Sequence, residues 1–199
     1  MCSVVGWSGV WSEELIISLM NNSRIRGLHA FGYSFYLDGD IITKKFLKYE
    51  DFINELKTDK PTTFISHFRY STSGDWKDID NNQPIYNNSM AIAFNGVISQ
   101  KTKSEMEAEY NIQMAGDNDG FLLLDKINDI DFLSRFDITY ALVGLDKDGI
   151  FAMRNKHRPL WKFNGPDFKA VCSTNDILFR SGLYDTDELR PLKKIYLND

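Results

Sequence analysis

The sequence predicts an α+β fold, in which antiparallel strands pair in layers and helices lie in separate groups. Short strand-like stretches recur along the whole chain, and two of them flank an Asp-Gly turn typical of hairpins. Only a few stretches have helical patterning, and they are set between the strands. The 199 residues suit one domain with a sizeable core, or at most two small ones, and we expect a single domain over 1–199.

The first third of the chain is predicted to alternate strands with two helices. Its elements are a strand at 3–7, a helix at 13–21, strands at 31–37 and 41–47, a helix at 50–57 and a strand at 62–70. Ser12 suits the N-cap of the first helix, where Glu13 and Glu14 are favourable against the helix dipole. Asp38-Gly39-Asp40 separates two strands and favours a hairpin.

The rest of the chain begins with a polar segment, 71–83, long enough to be a mobile loop. Two apolar stretches then surround Asn95-Gly96, which is a second hairpin signal. The remaining predicted elements are helices near 102–110 and 118–128, strands at 138–145, 150–154, 168–172 and 192–197, and a short helix between the last two strands.

Composition excludes several classes of function. The formal net charge is −5, and Lys and Arg are scattered among acids, which argues against a nucleic-acid partner. The N-terminus lacks the pattern of a signal peptide, and no apolar run reaches the roughly 18 residues of a membrane span. With only two cysteines, a disulfide framework is implausible, so we expect a cytoplasmic protein without a membrane partner.

Cys2 is the residue whose position suggests chemistry. Aminopeptidases remove Met1 when the next residue is small, and the product carries a thiol and a free α-amine on one residue. An unperturbed α-amine titrates near pH ~7.7–8.0, where a general base works well. Nucleophile and base then belong to the same residue, and no separate histidine is needed.

Other catalytic systems find little support. There is no G-x-S-x-G elbow, P-loop or G-x-G-x-x-G motif, and the three histidines lack metal-ligand spacing. We therefore expect no metal and no cofactor. Taken singly, the remaining candidates have structural explanations: Asn95-Gly96 as a turn, Arg69 as a surface ion-pair partner and Asp117 as a helix cap.

Together and in order, these residues resemble the class II glutamine amidotransferases, the N-terminal-nucleophile glutaminase domains. The similarity is closest to the domains of glutamine phosphoribosylpyrophosphate amidotransferase and asparagine synthetase. The matching blocks run along the whole chain and comprise MCSVVGW at 1–7, Arg26-Gly27 with Gly32, HFRYSTSG at 67–74, Gln83-Pro84, NGVI at 95–98, GDND at 116–119, Arg154 with RPL at 158–160, and Ser173-Thr174.

The resemblance implies a role for each matching position. Cys2 is the nucleophile with its own α-amine as proton shuttle, while the Asn95 side chain and the Gly96 N–H form the oxyanion hole. Arg69 holds the α-carboxylate of L-glutamine, and Asp117 holds the α-ammonium. Tyr70 and Thr72 are implied substrate-binding residues that begin a loop closing over the glutamine, and Arg26 is implied to support the N-terminal segment.

The implied fold is a four-layer α/β/β/α sandwich, and the implied reaction is hydrolysis of glutamine to glutamate and ammonia. The chain ends where the glutaminase domain of larger relatives ends, so we expect a separate synthetase to receive the ammonia. Ser3, His29, Phe94 and Asp119 depart from the common pattern. Two alternatives stay open: a stand-alone amidohydrolase for another amide or γ-glutamyl compound, and a catalytically silent regulatory module.

Overall fold

A computed structural model describes residues 1–71 and 75–197 of the chain. The strands are β1 Ser3–Gly9, β2 Ala30–Leu37, β3 Asp40–Phe46, β4 Thr63–Arg69, β5 Ile85–Tyr86, β6 Met90–Val97, β7 Thr139–Asp146, β8 Gly149–Arg154, β9 Trp161–Asn164, β10 Phe168–Cys172, β11 Thr186–Glu188 and β12 Ile195–Tyr196. The helices are α1 Glu13–Arg24, α2 Tyr49–Asp59, α3 Lys103–Tyr110, α4 Gly120–Asp125, α5 Ile130–Leu133 and α6 Asn175–Arg180, with a 3-10 turn at Ile79–Asn81.

The strands form two antiparallel sheets. The larger sheet has seven strands in the order β11-β9-β10-β1-β4-β2-β3, and the smaller has five in the order β12-β8-β7-β6-β5. β1 therefore lies in the middle of the larger sheet, hydrogen-bonded to β10 on one side and to β4 on the other. This central position places the N-terminus of the chain beside the end of β4.

Three cores separate four layers. Aromatic residues dominate the core between the larger sheet and helices α1, α2 and α6, including Trp7, Phe31, Tyr33, Phe52, Phe64 and Phe68. Small aliphatic residues dominate the core between the sheets, including Val4, Ile65, Ala91, Ala93, Ala141, Val143 and Ala152. The core under α3, α4 and α5 includes Ile92, Phe94, Leu122, Leu123, Phe132, Leu142 and Phe151. The predicted α/β/β/α sandwich is confirmed.

Strand alternation decides which side chains face the space between the sheets. Successive side chains of a strand point to opposite faces. Val4, Ile65 and Ala93 belong to the inter-sheet core. Residues two or four positions away along the same segments therefore face the same space: Cys2 just before β1, His67 and Arg69 on β4, and Asn95 on β6.

The predicted hairpin at Asn95-Gly96 is wrong. β6 runs straight through this dipeptide and pairs with β7 as far as Val97 opposite Thr139. A Cβ atom on Gly96 would lie 1.9 Å from the Thr139 carbonyl oxygen. The glycine is required for close approach of the two backbones, and it does not form a turn.

The other hairpin prediction is confirmed, since Leu37 pairs with Asp40 across Asp38-Gly39. The short elements β5, β9, β11 and α5 were missed, because two to four residues leave too little periodicity to recognise. Of the predicted loop at 71–83, residues 72–74 lie outside the described residues. Within residues 1–71 and 75–197, helices that are both long and apolar enough to cross a bilayer do not occur.

Candidate active site

A cavity of about 640 Å³ opens where β1 begins and where β4 and β6 end. Its volume lies in the usual range for small-molecule sites, roughly 300–1,000 Å³. Five residues singled out in the sequence line it together: Cys2, Arg69, Tyr70, Gly96 and Asp117. Residues up to 115 positions apart in the chain meet there because the neighbouring strands β1 and β4 of the larger sheet face β6 of the smaller sheet across the inter-sheet layer.

The Cys2 thiol lies against the peptide groups of Tyr70. Its Sγ is 3.4 Å from the Tyr70 N–H nitrogen and 3.7 Å from the Tyr70 carbonyl oxygen. The thiol donates to the oxygen, and a thiolate accepts from the N–H, so both protonation states have a partner. Burial raises the pKa of Cys2 above its ordinary value, although the Tyr70 N–H, the terminal ammonium, Arg69 and Arg26 act in the opposite direction.

Arg26 lies behind the N-terminus, where its Nε donates to the Cys2 carbonyl oxygen at 3.3 Å. Met1 is 63% exposed, and its sulfur contacts the guanidinium groups of Arg26 and Arg158. Met1 therefore packs on the surface, and its removal leaves the contacts of β1 intact. The raised thiol pKa means that a nearby base is needed to form the thiolate at neutral pH.

Arg69 is the buried cation of the cavity, with 8% of its surface exposed. Its Nη1 donates to the Asn81 carbonyl oxygen at 2.8 Å and to Asn82 Oδ1 at 2.7 Å. Burial lowers the pKa of Arg69, and Cys2, Asp75 and Asp119 raise it. The guanidinium is thereby held in one orientation, which suits two-point binding of a carboxylate.

Asn81 connects this cation to the segment that carries Asp117. The Asn81 carbonyl oxygen, which accepts from Arg69, also accepts from Asn118 Nδ2 at 2.9 Å. Asn81 Oδ1 accepts from the Asp117 N–H at 2.9 Å. Asn81 thus bonds both to the Arg69 guanidinium and to the backbone of Asp117, an exposed residue that lines the same cavity.

Asp119 fixes the backbone that follows Asn95-Gly96. Its Oδ2 accepts from the N–H groups of Ile98 at 2.6 Å and Ser99 at 3.1 Å. Burial raises the pKa of this carboxyl, and the two N–H donors act in the opposite direction. Asn95 itself is 4% exposed and faces the inter-sheet space beside Gly96, but it is outside the set of residues that line the cavity.

His67 forms part of the cavity wall and is only 1% exposed. Neither ring nitrogen has a partner of good hydrogen-bond geometry among the described residues, although the nearby Phe94 backbone acts to raise the pKa of the ring. Burial, and after it the charge of Arg69, lowers the pKa of His67 to about 3, so its ring is neutral at physiological pH. Next to a fixed cation, this histidine supplies polarity without a second positive charge.

Among the described residues, two of the predicted ones do not line the cavity: Arg26, which lies behind Cys2, and Asn95, which is buried beside Gly96. The predicted residue Thr72 lies outside the described residues. Sequence reasoning missed Asn81 and Asn82 as partners of Arg69. Their only sequence signal is that they directly precede Gln83-Pro84. Gln83 also has a structural role, since its Oε1 accepts from the Phe94 N–H at 2.7 Å and so ties this segment to β6.

The same architecture occurs in solved structures. Glutamine phosphoribosylpyrophosphate amidotransferase from B. subtilis superposes with a TM-score of 0.68 at 20% identity over 96% of this chain. A structure described as the allosteric regulatory enzyme of purine biosynthesis gives a TM-score of 0.69, also at 20% identity and over 96% of this chain. The fold is that of the class II glutamine amidotransferases.

A third relative of this amidotransferase fold is a glutamine aminotransferase class-II domain protein from Silicibacter pomeroyi. It gives a TM-score of 0.60 at 13% identity and is matched over 92% of its length. By contrast, this chain spans about half of the first two, 46% and 45%. No family model and no curated protein sequence matches the chain, so the likeness lies in the three-dimensional structure.

Proposed function

We propose that this chain is a glutaminase that hydrolyses L-glutamine to glutamate and ammonia through an N-terminal cysteine. The observation that carries the proposal is the cavity itself, where the Cys2 thiol, the buried Arg69 guanidinium and the Asp117 carboxylate share one wall. Glutamine has a zwitterionic head and a neutral amide tail. A site for it requires one cation, one anion and a nucleophile, and these three residues supply them.

In this proposal Arg69, which lines the cavity, binds the α-carboxylate of glutamine, and Asp117, which lines the same cavity, binds the α-ammonium. Charge-assisted hydrogen bonds of this kind are roughly twice as strong as neutral ones. Because Asn81 connects both groups, it sets the distance between them. The head of the substrate is thereby fixed, and its side-chain amide points to Cys2.

Removal of Met1 frees the Cys2 α-amine, which takes the proton of the thiol. The thiolate then adds to Cδ of glutamine, and the carbonyl oxygen becomes an oxyanion stabilised by the Asn95 side chain and the Gly96 N–H. In comparable enzymes one such donor contributes about 3–4 kcal/mol. Collapse of the adduct breaks the C–N bond, and the departing ammonia carries the proton that the α-ammonium returns.

Water then adds to the γ-glutamyl thioester, the C–S bond breaks, and glutamate and the thiol are released. All protons move between the substrate, water and the α-amine of Cys2, so this half-reaction needs no cofactor. We further propose that the ammonia passes to a synthetase on a separate chain. Both cysteines are free thiols in the structure, which supports a reducing cytoplasmic location.

The decisive experiment combines intact-mass spectrometry with covalent labelling. We expect the purified chain to lack Met1 and to react with the glutamine-like electrophile 6-diazo-5-oxo-norleucine at Cys2, with glutamine protecting against the label. Cys172 is fully buried, so it is an internal control that stays unlabelled in the folded protein. Glutamate release is then compared between glutamine, asparagine and γ-glutamyl amides, with and without candidate synthetases.

Each outcome separates the alternatives. Labelling with faster release from another γ-glutamyl amide supports the stand-alone amidohydrolase and contradicts glutamine as substrate. Retention of Met1 together with an unlabelled Cys2 supports the silent module. Full glutaminase turnover without any partner contradicts delivery in trans, but it leaves the glutaminase assignment intact.

A further inference from the structure

The imidazole of His29 lies beside the chain segment that contacts the nucleophile. His29 is held at the end of β4, because its backbone N–H donates to the Arg69 carbonyl oxygen at 2.9 Å. Its ring stacks on Tyr70, with centroids 5.0 Å apart, and on Trp76, at 5.4 Å. The same ring accepts a hydrogen bond at Nδ1 from the Ser71 N–H, at 2.8 Å.

These contacts enclose the peptide groups that meet the Cys2 thiol. The Tyr70 N–H faces the sulfur at 3.4 Å and the Tyr70 carbonyl oxygen lies 3.7 Å from it. His29 contacts both the Tyr70 ring and the next N–H along the chain, that of Ser71. The Tyr70 backbone therefore has little freedom to rotate away from the thiol.

We propose that His29 is a positioning residue for the nucleophile, acting through Ser71 and Tyr70 on the protonation of Cys2. A thiolate needs a fixed donor, and the Tyr70 N–H lies 3.4 Å from Sγ. An acceptor at Nδ1 keeps the Ser71 N–H in place, and this orients the preceding peptide toward the sulfur. His29 thereby becomes part of the proposed glutaminase site, but its expected effect is on the Cys2 thiol and not on the binding of glutamine.

Two amide substitutions form a matched pair for the test. In His29→Asn the side-chain oxygen occupies nearly the place of Nδ1, whereas in His29→Gln the amide lies one bond further out, and His29→Phe keeps only the stacking ring. The readout is the rate of Cys2 alkylation by iodoacetamide from neutral to alkaline pH, measured on the Cys2 peptide by mass spectrometry. Buried Cys172 reports unfolding in the same samples.

We expect His29→Phe and His29→Gln to slow alkylation at neutral pH about fivefold, the effect of losing roughly one hydrogen bond, and to move the pH midpoint upward. We expect His29→Asn to stay within about twofold of the natural chain, because the acceptor is retained. Equal rates in all four proteins, or faster alkylation in His29→Phe, would overturn the proposal. Alkylation requires no glutamine, so this result is independent of whether the chain is a glutaminase.

Discussion

The two faces of the seven-stranded sheet carry different side chains. The face toward the helices is packed with large aromatic residues, among them Trp7, Phe52 and Phe68. The face toward the second sheet carries small aliphatic residues such as Val4, opposite Ala93 and Ala141. At the end of that second face where β1 begins and β4 ends, the side chains are no longer apolar but are those of Cys2, His67 and Arg69.

This difference shows how the fold makes a polar site inside an apolar sandwich. Small side chains let the two sheets approach closely, so groups from β1, β4 and β6 meet at the end of the layer. The aromatic layer holds the sheet to its helices and contributes no residue to the cavity wall. We therefore expect substitutions in the aromatic layer to alter stability, and substitutions at the polar end to alter chemistry.

The largest effect is expected for Cys2→Ala, which removes the nucleophile. Glutamine hydrolysis should fall by about 10⁴-fold or more, because loss of a catalytic nucleophile removes the covalent route. The melting temperature should stay close to that of the natural chain, since Cys2 precedes β1 and belongs to none of the three hydrophobic cores described. Residual hydrolysis above about one per cent would place the nucleophile elsewhere.

Phe52→Ala tests the aromatic layer. Phe52 is fully buried and contacts the rings of Phe31, Tyr33, Phe46, Tyr49 and Phe68. Truncation should lower the free energy of unfolding by about 3–5 kcal/mol, measured by urea denaturation. At urea concentrations below the unfolding transition of the variant, kcat per folded molecule should be unchanged. A fall in kcat there would show that the aromatic layer and the polar end are not independent.

Arg69→Lys tests the polar end without removing its charge. A lysine ammonium cannot contact Asn81 and Asn82 and also bind both oxygens of a carboxylate in the geometry of a guanidinium. The KM for glutamine should rise roughly 10–100-fold, the effect of losing one hydrogen bond to a charged group, with a smaller change in kcat. An unchanged KM would mean that another group binds the carboxylate.

His67→Gln tests the energetic cost of keeping the buried His67 unprotonated as the pH falls. The pKa of His67 is about 3 in the folded chain, below the ordinary value of about 6.5, so the unfolded chain binds the extra proton between these limits. Stability is therefore lost as the pH falls from about 6.5 toward 3, by about 1.4 kcal/mol per pH unit. Above this window the histidine is neutral in both states and makes no such contribution.

The His67→Gln variant has no group at position 67 that can bind a proton in this pH range. From neutral pH to about pH 5 it should lose about 2 kcal/mol less stability than the natural chain, as measured by urea denaturation at both values. The other acidic groups titrate in both proteins and cancel in the comparison. Parallel losses in the two proteins would contradict the buried, neutral state of His67.

Local chemistry in the sequence determined much of the secondary structure. The Asp38-Gly39 hairpin and the capping box of α3, where Thr102 and Glu105 bond reciprocally, depend on neighbours a few residues apart. The resemblance carried by the ordered motifs also implied the four-layer fold and the candidates Cys2, Arg69 and Asp117. Each of these signals can be recognised without knowing what the residue packs against.

Only the tertiary structure decided the structural role of Gly96, the partners of Arg69 and the contacts of His29. Gly96 suggests a turn locally, but the approach of β7 makes it part of a strand. Asn81 and Asn82 are ordinary loop residues until the fold brings them to the end of β4. The reason is physical: close approach, burial and shared hydrogen bonds are properties of distant pairs, and a local pattern carries no information about which pairs will meet.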